Sequence, residues 1–265
     1  MTEITEITEI VDPVEQFILQ WGDAHWGVDR SIARIHGFAG WPVPWPHGVA
    51  KVGTMDTIAC TYPVHTASET WPTMSYAALV GRQWHDLPAR TRARFERTRQ
   101  LTCYRGHVVR SESTLVGRCF RQLARLIGGP LPLGDALGPA AVVVMTVGAG
   151  DSAWTRVYRG KGGRHQAIRS VKRFSGSTGL EEYLGCGVCM ALRVRTEGCS
   201  LVFESCGYYL AFGERRMPLP RWLTPGRLTV RNTDLPAPWF RFSLELTHPW
   251  FGVVLRQEAV FEDAP

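Results

Sequence analysis

The sequence predicts an α+β protein dominated by a strongly curved antiparallel β-sheet or β-barrel, with N-terminal helices packed on it. From Ala140 to the C-terminus, apolar and polar residues alternate with a period of two in several segments, as in strands with one buried face. Short turn signals such as Glu197-Gly198 separate these segments, and no helical pattern interrupts them. A sheet of this size tends to close, because closure removes its edge strands.

Composition narrows the class of protein. The 265 residues are 45% hydrophobic and 20% charged, which is typical of a globular chain with one large β-rich domain or two small ones. The first ten residues hold three glutamates and no basic region, so no secretory signal is predicted. The longest apolar run, Ala140 to Met145, is too short to span a bilayer. We therefore expect a soluble, cytoplasmic protein without membrane insertion.

Charge and cysteine content limit the partners. The net charge is +6, which suits nucleic acid or an acidic ligand, but no nucleic-acid-binding motif is present, so no nucleic-acid partner is predicted. Seven cysteines are an odd number, and without an export signal they are expected to be reduced. A homodimer is compatible with these features, but the oligomeric state does not follow from them.

Residues 1–75 are predicted to form an N-terminal helix and a Trp/Pro-rich wrapping segment, separate from a helix-plus-antiparallel-sheet domain over 76–265. Asp12 and Pro13 are helix-start residues, and apolar residues follow at helical spacing. Residues 38–73 contain many tryptophans, prolines and turn residues. A loop of this length in a compact domain is usually functional, so we expect it to wrap the body or to cover a pocket.

Three helices are predicted between residues 75 and 127, packed across one face of the sheet or plugging one end. Ser75 is a helix cap, and Leu87-Pro88 starts a second helix. That second helix carries arginines on one face, which is either a solvated face or an anion-binding face; they are Arg90, Arg94 and Arg97. The third helix has an apolar stripe opposite three arginines. The stripe comprises Leu115, Cys119, Phe120, Leu123, Leu126 and Ile127, and the arginines are Arg118, Arg121 and Arg125.

The segment from Met217 to Pro225 holds three prolines and a tryptophan. It is therefore neither a helix interior nor a central strand. We expect a rigid, semi-extended connection between two strands that lays Trp222 against the body of the protein.

Several motifs, in this order and spacing, resemble the uncharacterised bacterial family known as domain of unknown function 4166, over about residues 76 to 261. They are Gly81 with Leu87-Pro88, Trp154-Thr155-Arg156-Val157-Tyr158, Leu180 to Gly185, Pro218 to Leu223, and His248-Pro249 with Gly252. The chain departs from the family's Tyr-x-Gly pattern at Gln257 and Ala259, and residues 1–75 have no counterpart. Members often look like appendages of dehydrogenase-like proteins, but no Gly-x-Gly-x-x-Gly fingerprint occurs here.

Trp154, Arg156 and Tyr158 alternate along one predicted strand, so their side chains share a face. An arginine between two aromatic residues either clamps a carboxylate or enolate inside a pocket or forms a cation–π ladder on the outer sheet face. Both interpretations remain open from the sequence.

The candidates for proton transfer are a glutamate and a histidine. Glu181 and Glu182 are adjacent, so only one of them faces inward in a strand, and we select Glu182 as a general base. The alternative is an ion pair with a neighbouring arginine. His248 precedes Pro249 and shares the parity of the apolar set; it is either a proton-transfer group or a hydrogen-bonded structural histidine.

Metal and cofactor motifs are not predicted. Cys186-x-x-Cys189 has the spacing of a zinc knuckle, but Cys199 and Cys206 are separated by six residues, outside the usual spacing. The cysteines also lie within apparent strands, where cysteine commonly acts as a small buried hydrophobe. The sequence contains no P-loop, nucleophile elbow or His-Glu-x-x-His motif.

The favoured interpretation is a cofactor-independent tailoring enzyme of the cyclase or isomerase type, in specialised metabolism, acting on a hydrophobic small molecule in a barrel pocket. Ten tryptophans and eleven phenylalanines supply apolar walls. In this interpretation Arg156 stabilises developing negative charge and Glu182 or His248 moves a proton. The residues that shape the cavity are Trp154, Tyr158 and Trp222.

Two alternatives use the same residues differently. A non-catalytic carrier or sensor of a lipid-like or polyketide-like ligand has the same cavity without a proton-transfer group, so a buried ionisable residue in the cavity distinguishes the enzyme from it. A scaffold domain is predicted to have a filled interior.

Overall fold

The computed structural model of the protein describes residues 74–96, 101–127, 131–132, 137–147, 151–159, 165–212 and 215–263. The predicted N-terminal helix and the Trp/Pro-rich segment lie outside these residues. The division at residue 75 therefore stays a prediction.

The described part of the chain contains three α-helices, three 3-10 turns and eleven strands. The helices are α1 (Tyr76–Val80), α2 (Ala89–Phe95) and α3 (Leu115–Ala124), with 3-10 turns at Gly81–Asp86, Arg125–Ile127 and Arg221–Leu223. The strands are β1 (Leu101–Ser113), β2 (Gly138–Val147), β3 (Asp151–Arg159), β4 (His165–Arg173), β5 (Glu181–Gly185), β6 (Val188–Glu197), β7 (Ser200–Phe212), β8 (Arg215–Pro218), β9 (Arg227–Asp234), β10 (Trp239–His248) and β11 (Gly252–Glu262).

The strands form a closed antiparallel barrel. They pair in the order β6-β5-β4-β3-β2-β1-β11-β10-β9-β7-β8, and an additional pairing between β6 and β7 closes the circuit. Ten strands therefore form the barrel, and β8 pairs with β7 outside it. The predicted curved sheet is thus a barrel, in which each of the ten strands has two neighbours and no edge remains.

The period-two pattern separates the barrel interior from its outer surface, as predicted. On β10, Phe240, Leu244 and Leu246 are buried, whereas Arg241 and Glu245 form ion pairs with residues of β11 on the outside. Because the register carries this alternation from strand to strand, the apolar sets of neighbouring strands converge inside the barrel.

The pairing registers define two ends of the barrel. At the closed end β1 begins and β11 ends, since Gly106 pairs with Phe261 and Ser113 with Leu255. At the open end β1 ends and β11 begins. Helix α3, the turn at residues 249–251 and the segment 218–226 are attached to strand ends at the open end, whereas α1 and α2 contact strands β6 and β9 near the closed end.

Aromatic packing closes one end of the barrel. Ser75 caps α1 by accepting a hydrogen bond from the backbone N–H of Ala78 (3.2 Å). Tyr76 then meets Phe95 and Phe203 edge-on, with ring centroids 5.4 and 5.7 Å apart. Edge-to-face contacts of this kind add to the stability gained from burying the rings, so α1 and α2 plug the closed end.

Arginines of α2 hold it to the closed end, which differs from both interpretations of that arginine face. Arg94 forms ion pairs with Asp234 and Asp263, and its guanidinium lies 4.2 Å from the centroid of the Phe240 ring. Arg90 also pairs with Asp263 (3.1 Å). The carboxylates at the ends of β9 and β11 pair with both arginines, so Arg90 and Arg94 form an internal ion-pair cluster. Arg97 lies outside the described residues.

Helix α3 contacts the barrel only partly through its predicted apolar stripe. Arg121 is 2% exposed and donates a hydrogen bond to Ser113, whereas Leu115 and Leu126 of the apolar stripe are exposed. The reason is a close approach at Gly117, where any Cβ would collide with the carbonyl oxygen of Val254. The small face of α3 therefore docks on β11. The apolar stripe lies beside this contact, with Phe120 and Ile127 partly buried against the barrel and Leu115, Leu123 and Leu126 exposed.

Candidate functional site

The barrel interior holds a cavity of about 460 Å³. A scaffold domain was predicted to have a filled interior, and this cavity contradicts that alternative. Most of its wall is apolar and comes from strands on all sides of the barrel, as is common for small-molecule sites. The apolar wall residues include Val142, Leu184, Val188, Met190, Leu192, Phe203, Val230, Phe242, Leu244, Leu246 and Phe261.

The mouth of the cavity lies at the open end. Three cavity-lining residues, Leu123, Leu126 and Leu223, are also exposed to solvent, and all three belong to α3 or to the segments that follow α3 and β8. Because only residues at an opening both line a cavity and contact solvent, the cavity opens between α3 and the proline-rich segment 218–226.

Three charged side chains interrupt the apolar wall. Lys172 on β4 and Glu182 on β5 are direct cross-strand partners, and Lys172 Nζ lies 3.1 Å from Glu182 Oε1. Arg156 Nη2 lies 4.0 Å from the same oxygen and donates a hydrogen bond to Ser170 Oγ (3.3 Å). The three strands β3, β4 and β5 thus bring two cations and one carboxylate together inside an apolar cavity.

Burial and the neighbouring charges set the ionisation of this group. Burial favours the neutral form of Glu182, but the positive charges of Lys172 and Arg156 and the hydrogen bonds from Ser170 and Lys172 outweigh it and hold the pKa of Glu182 below its ordinary value. Burial and the charge of Arg156 lower the pKa of Lys172, although Glu182 opposes this shift. Glu182 is therefore ionised at neutral pH and has the form of a base.

Aromatic residues surround the charged group. Lys172 Nζ lies 4.7 Å from the centroid of the Trp154 ring, a cation–π contact, and Trp154 Nε1 donates a hydrogen bond to Ser152 Oγ (3.1 Å). Burial raises the pKa of Tyr208 to about 12, although a hydrogen bond with Ser205 opposes this, and burial also raises the pKa of Tyr158. Both phenols line the cavity and keep their protons at neutral pH.

The structure brings four of the six predicted site residues together. Trp154, Arg156 and Tyr158 all line the cavity, so the alternative of a cation–π ladder on the outer face is wrong. Glu182 also lines the cavity, whereas Glu181 lies on the opposite face and pairs with Arg216 of β8. The sequence alone could not separate the two glutamates; the register of β5 does.

His248 lies apart from the charged group. It is buried at the end of β10, stacks on Phe251 with ring centroids 4.8 Å apart, and its Nδ1 accepts a hydrogen bond from the backbone N–H of Trp250 (3.3 Å). It is not among the residues that line the cavity, although its neighbour Phe120 is. This position matches the alternative of a hydrogen-bonded structural histidine.

Trp222 also lies outside the cavity wall. The segment 218–226 is a connection, as predicted, but Trp222 is 68% exposed instead of packed against the body. Leu223 in the 3-10 turn Arg221–Leu223 and Leu219 just before the turn line the cavity. Trp222 therefore lies on the solvent side of the turn.

Lys172 belongs to the charged group of the cavity but is not among the site residues predicted from the sequence. It is one of only three lysines in the chain, and its position on β4 has the same parity as the buried Ile168 and Ser170. Lysine is rarely buried, so a lysine that alternates in line with the buried residues of a strand would have indicated a functional position. Gln257 and Ala259, where the chain departs from the family pattern, line the cavity as well.

The cysteines do not form a cluster in the described part of the chain. Cys186 is exposed in the turn between β5 and β6, and Cys189 is buried on β6. Among the described residues no group of histidine, cysteine, aspartate or glutamate side chains has the arrangement of a metal site. None of the described helices has the length and apolar character needed to cross a lipid bilayer.

Comparison with known proteins gives a family but no function. Curated proteins yielded no match, and solved structures yielded none either. A family model described as a domain of unknown function (DUF4166) matches residues 87–261. These residues include β1 to β10, all but the last residue of β11, and the charged residues Arg156, Lys172 and Glu182 of the cavity. The chain therefore belongs to the DUF4166 family.

Proposed function

We propose that this protein is a cofactor-independent tailoring enzyme of the cyclase or isomerase type, acting in specialised metabolism on a hydrophobic small molecule in the barrel cavity. One observation carries the proposal: Glu182, Lys172 and Arg156 meet inside an otherwise apolar cavity. A buried ionisable group is the feature that distinguishes an enzyme from a carrier with the same cavity, and ionisable groups in such pockets are candidates for catalysis.

The geometry supports a simple proton-transfer cycle. The Glu182 carboxylate takes a proton from a carbon next to a substrate carbonyl. The electron pair of the broken C–H bond moves onto the carbonyl oxygen, and Arg156 and Lys172 stabilise the resulting enolate. The proton then returns from Glu182 to a carbon of the same molecule, so the reaction is neutral in protons and electrons. Trp154 and Tyr158 position the substrate.

Deuterium exchange into an enolisable probe tests this cycle. We expect the protein to accelerate exchange of the α-hydrogens of 2-tetralone in D₂O, followed by NMR, and we expect Glu182→Gln and Arg156→Met to abolish the acceleration. Glu245→Gln and Arg241→Met are matched controls, because these side chains lie in ion pairs on the outer face. If Glu182→Gln accelerates deuterium exchange as much as the wild type does, the Glu182 carboxylate is not the base.

A carrier or sensor of a lipid-like or polyketide-like ligand is the second candidate, and the predominantly apolar wall of the cavity favours it. Native mass spectrometry followed by denaturing extraction identifies a co-purifying apolar molecule. If such a molecule is present while no exchange is measured with 2-tetralone or with that molecule, the carrier function replaces the enzyme.

A further inference from the structure

The charged side chains of the cavity do not balance one another. Arg156 and Lys172 are basic, and Glu182 is the one carboxylate among the described residues that line the cavity. The Nε atom of Arg156 is buried and has no hydrogen-bond partner within the described part of the protein. Arg156 and Lys172 therefore share one carboxylate in largely apolar surroundings, where an excess of positive charge is costly and an anionic group of a ligand is favoured.

The charged group also has a fixed position along the barrel. Lys172 lies one residue from the end of β4, and Glu182 is the second residue of β5, so both are near the closed end. The apolar residues Leu123, Leu126 and Leu223 lie at the mouth. The cavity is therefore polarised, with its charge deep inside and its apolar part toward the opening.

We propose that the ligand of this cavity is a hydrophobic carboxylate whose acid group binds Arg156 and Lys172, with its apolar part directed toward the mouth. This inference rests on the proposed function, because it uses the same cavity. A guanidinium binds a carboxylate with two parallel hydrogen bonds, and the unpartnered Nε of Arg156 supplies one of the donors. The ammonium of Lys172 adds a second positive charge.

Matched ligands that differ only in the head group test the inference. We measure the binding of decanoate, methyl decanoate and decanol by fluorescence, since Trp154 lies against Lys172 and reports on its surroundings. We expect decanoate to bind at least about tenfold more tightly than decanol, a difference of about 1.4 kcal/mol. Arg156→Met should remove this preference, Arg156→Lys should retain part of it, and the outer-face variant Arg241→Met should leave it unchanged.

The outcomes separate this inference from the proposed function. If decanol and decanoate bind equally well to the wild-type protein, the carboxylate inference is overturned while a hydrophobic ligand site remains. If none of the three binds and 2-tetralone does not exchange, the proposed function fails as well. Circular dichroism and thermal unfolding of each variant show whether a loss of binding reflects a loss of folding.

A different observation, the surface around the mouth, supports a second proposal. Large apolar side chains are exposed there on three separate segments, which are α3 with its following turn, the segment 217–223 and the turn 249–251. Leu126 is 76% exposed, Trp222 68% and Trp250 72%. Apolar surface exposed in this way on neighbouring segments marks an interaction site.

The charge of these segments identifies the kind of partner. Residues 115–127, 215–226 and 248–252 contain six arginines and no aspartate or glutamate. Of these arginines, Arg121 is buried and Arg216 pairs with Glu181. Two of the arginines, Arg125 and Arg221, are exposed next to Leu126 and Trp222. Tryptophan and arginine beside exposed leucine are the side chains that suit the interface of an anionic lipid bilayer.

We infer that the open end docks on an anionic membrane surface, so that a hydrophobic ligand passes between the bilayer and the cavity. The docking is peripheral, through side chains at the rim of the mouth. Trp222 and Trp250 anchor the rim, and the arginines contact lipid headgroups. The apolar ligand then avoids water, because the mouth lies at the same end of the barrel as the rim.

Vesicle co-sedimentation tests the docking. We expect the protein to sediment with vesicles of equal parts phosphatidylcholine and phosphatidylglycerol but not with phosphatidylcholine alone, and to be released by high salt. The double variant Trp222→Ser/Trp250→Ser should lose this binding, whereas Trp239→Ser at the closed end should keep it. Absence of wild-type sedimentation overturns the proposal. The proposal is also overturned if light scattering shows that the wild-type protein is a dimer and the double variant is a monomer. The rim is then an interface between two copies of the chain.

Discussion

The two ends of the barrel carry similar residue types, but these residues are buried at one end and exposed at the other. At the closed end, Phe95 and Tyr76 are buried against the barrel, and Arg94 is neutralised by two aspartates. At the open end, Trp222 and Leu126 are exposed beside arginines that have no acidic residue in their segments. Aromatic and arginine side chains thus serve as a plug at one end and as an exposed rim at the other.

The contrast between the two ends shows that residue type alone does not assign a structural role. Helices α2 and α3 are both short and rich in arginine. They differ in what lies opposite them: the carboxylates of β9 and β11 face α2, and a backbone carbonyl of β11 faces Gly117 of α3. The partner across the interface therefore decides whether a helix buries its apolar or its small face.

The largest effect is expected from the aromatic plug. Phe95→Ala should lower the free energy of unfolding by about 4 kcal/mol, since it removes a buried ring that contacts Tyr76, Trp154 and Phe203 and leaves a void. Urea denaturation measures the change. The matched variant Phe212→Ala, at an exposed site of the open end, should be nearly neutral, and equal losses at the two sites would contradict the difference between the ends.

The ion pairs of α2 should give the next largest effect. Arg94→Met should cost about 3 kcal/mol, because it removes the more deeply buried cation and leaves Asp234 and Asp263 with Arg90 as their counter-charge. The outer-face variant Arg241→Met is the control and should change the midpoint of urea denaturation very little. A stability change for Arg94→Met no larger than that of Arg241→Met would show that α2 is held by its aromatic residues alone.

The ion pairs inside the cavity should contribute less to the free energy of unfolding than those of α2, because the cavity opens to solvent. Glu182→Gln should lower stability at neutral pH by on the order of 2 kcal/mol, since Lys172 and Arg156 lose their counter-charge. The pKa of Glu182 is held below 4.5 in the folded protein, so its contribution is complete above that pH and is lost as the pH falls through the lowered pKa. The stability difference between the wild type and Glu182→Gln, measured by thermal unfolding, should therefore shrink as the pH falls through the acid range. A difference that does not change with pH would contradict a stabilising ion pair of Glu182 with Lys172 and Arg156.

The smallest effect is expected at the rim. Leu126→Ser should change the free energy of unfolding by less than about 0.5 kcal/mol, because Leu126 is largely exposed and buries little area. Binding of an apolar dye such as 1-anilinonaphthalene-8-sulfonate should fall in the same variant. A stability loss comparable to that of Phe95→Ala would mean that Leu126 packs as a core residue.

Much of the fold could be predicted because its signals are local. The alternation of Phe240, Phe242, Leu244 and Leu246 specifies a strand with one buried face, and the prolines between Met217 and Pro225 exclude a continuous strand there. Closure into a barrel was left open, since the pairing of β6 with β7 depends on registers that no local pattern encodes.

The candidate site was predictable only in part. Arg156, Trp154 and Tyr158 share a face because they alternate on one strand, and that face lines the cavity. Lys172 and Ser170 complete the charged group from β4, and their contact with Glu182 depends on the pairing of β4 with β5. His248 and Trp222 had plausible local patterns, but the wall of the cavity does not include them.

The β-rich class, the strand segments, the shared face of Arg156 and the family resemblance follow from the sequence, because periodicity and motif order are properties of neighbouring residues. Closure of the sheet, the inward position of Glu182 opposite the pairing of Glu181 with Arg216, and the burial of Arg121 on α3 become apparent only in the folded protein. These features depend on contacts between segments far apart in the chain, where strand register and steric fit set which side chains meet.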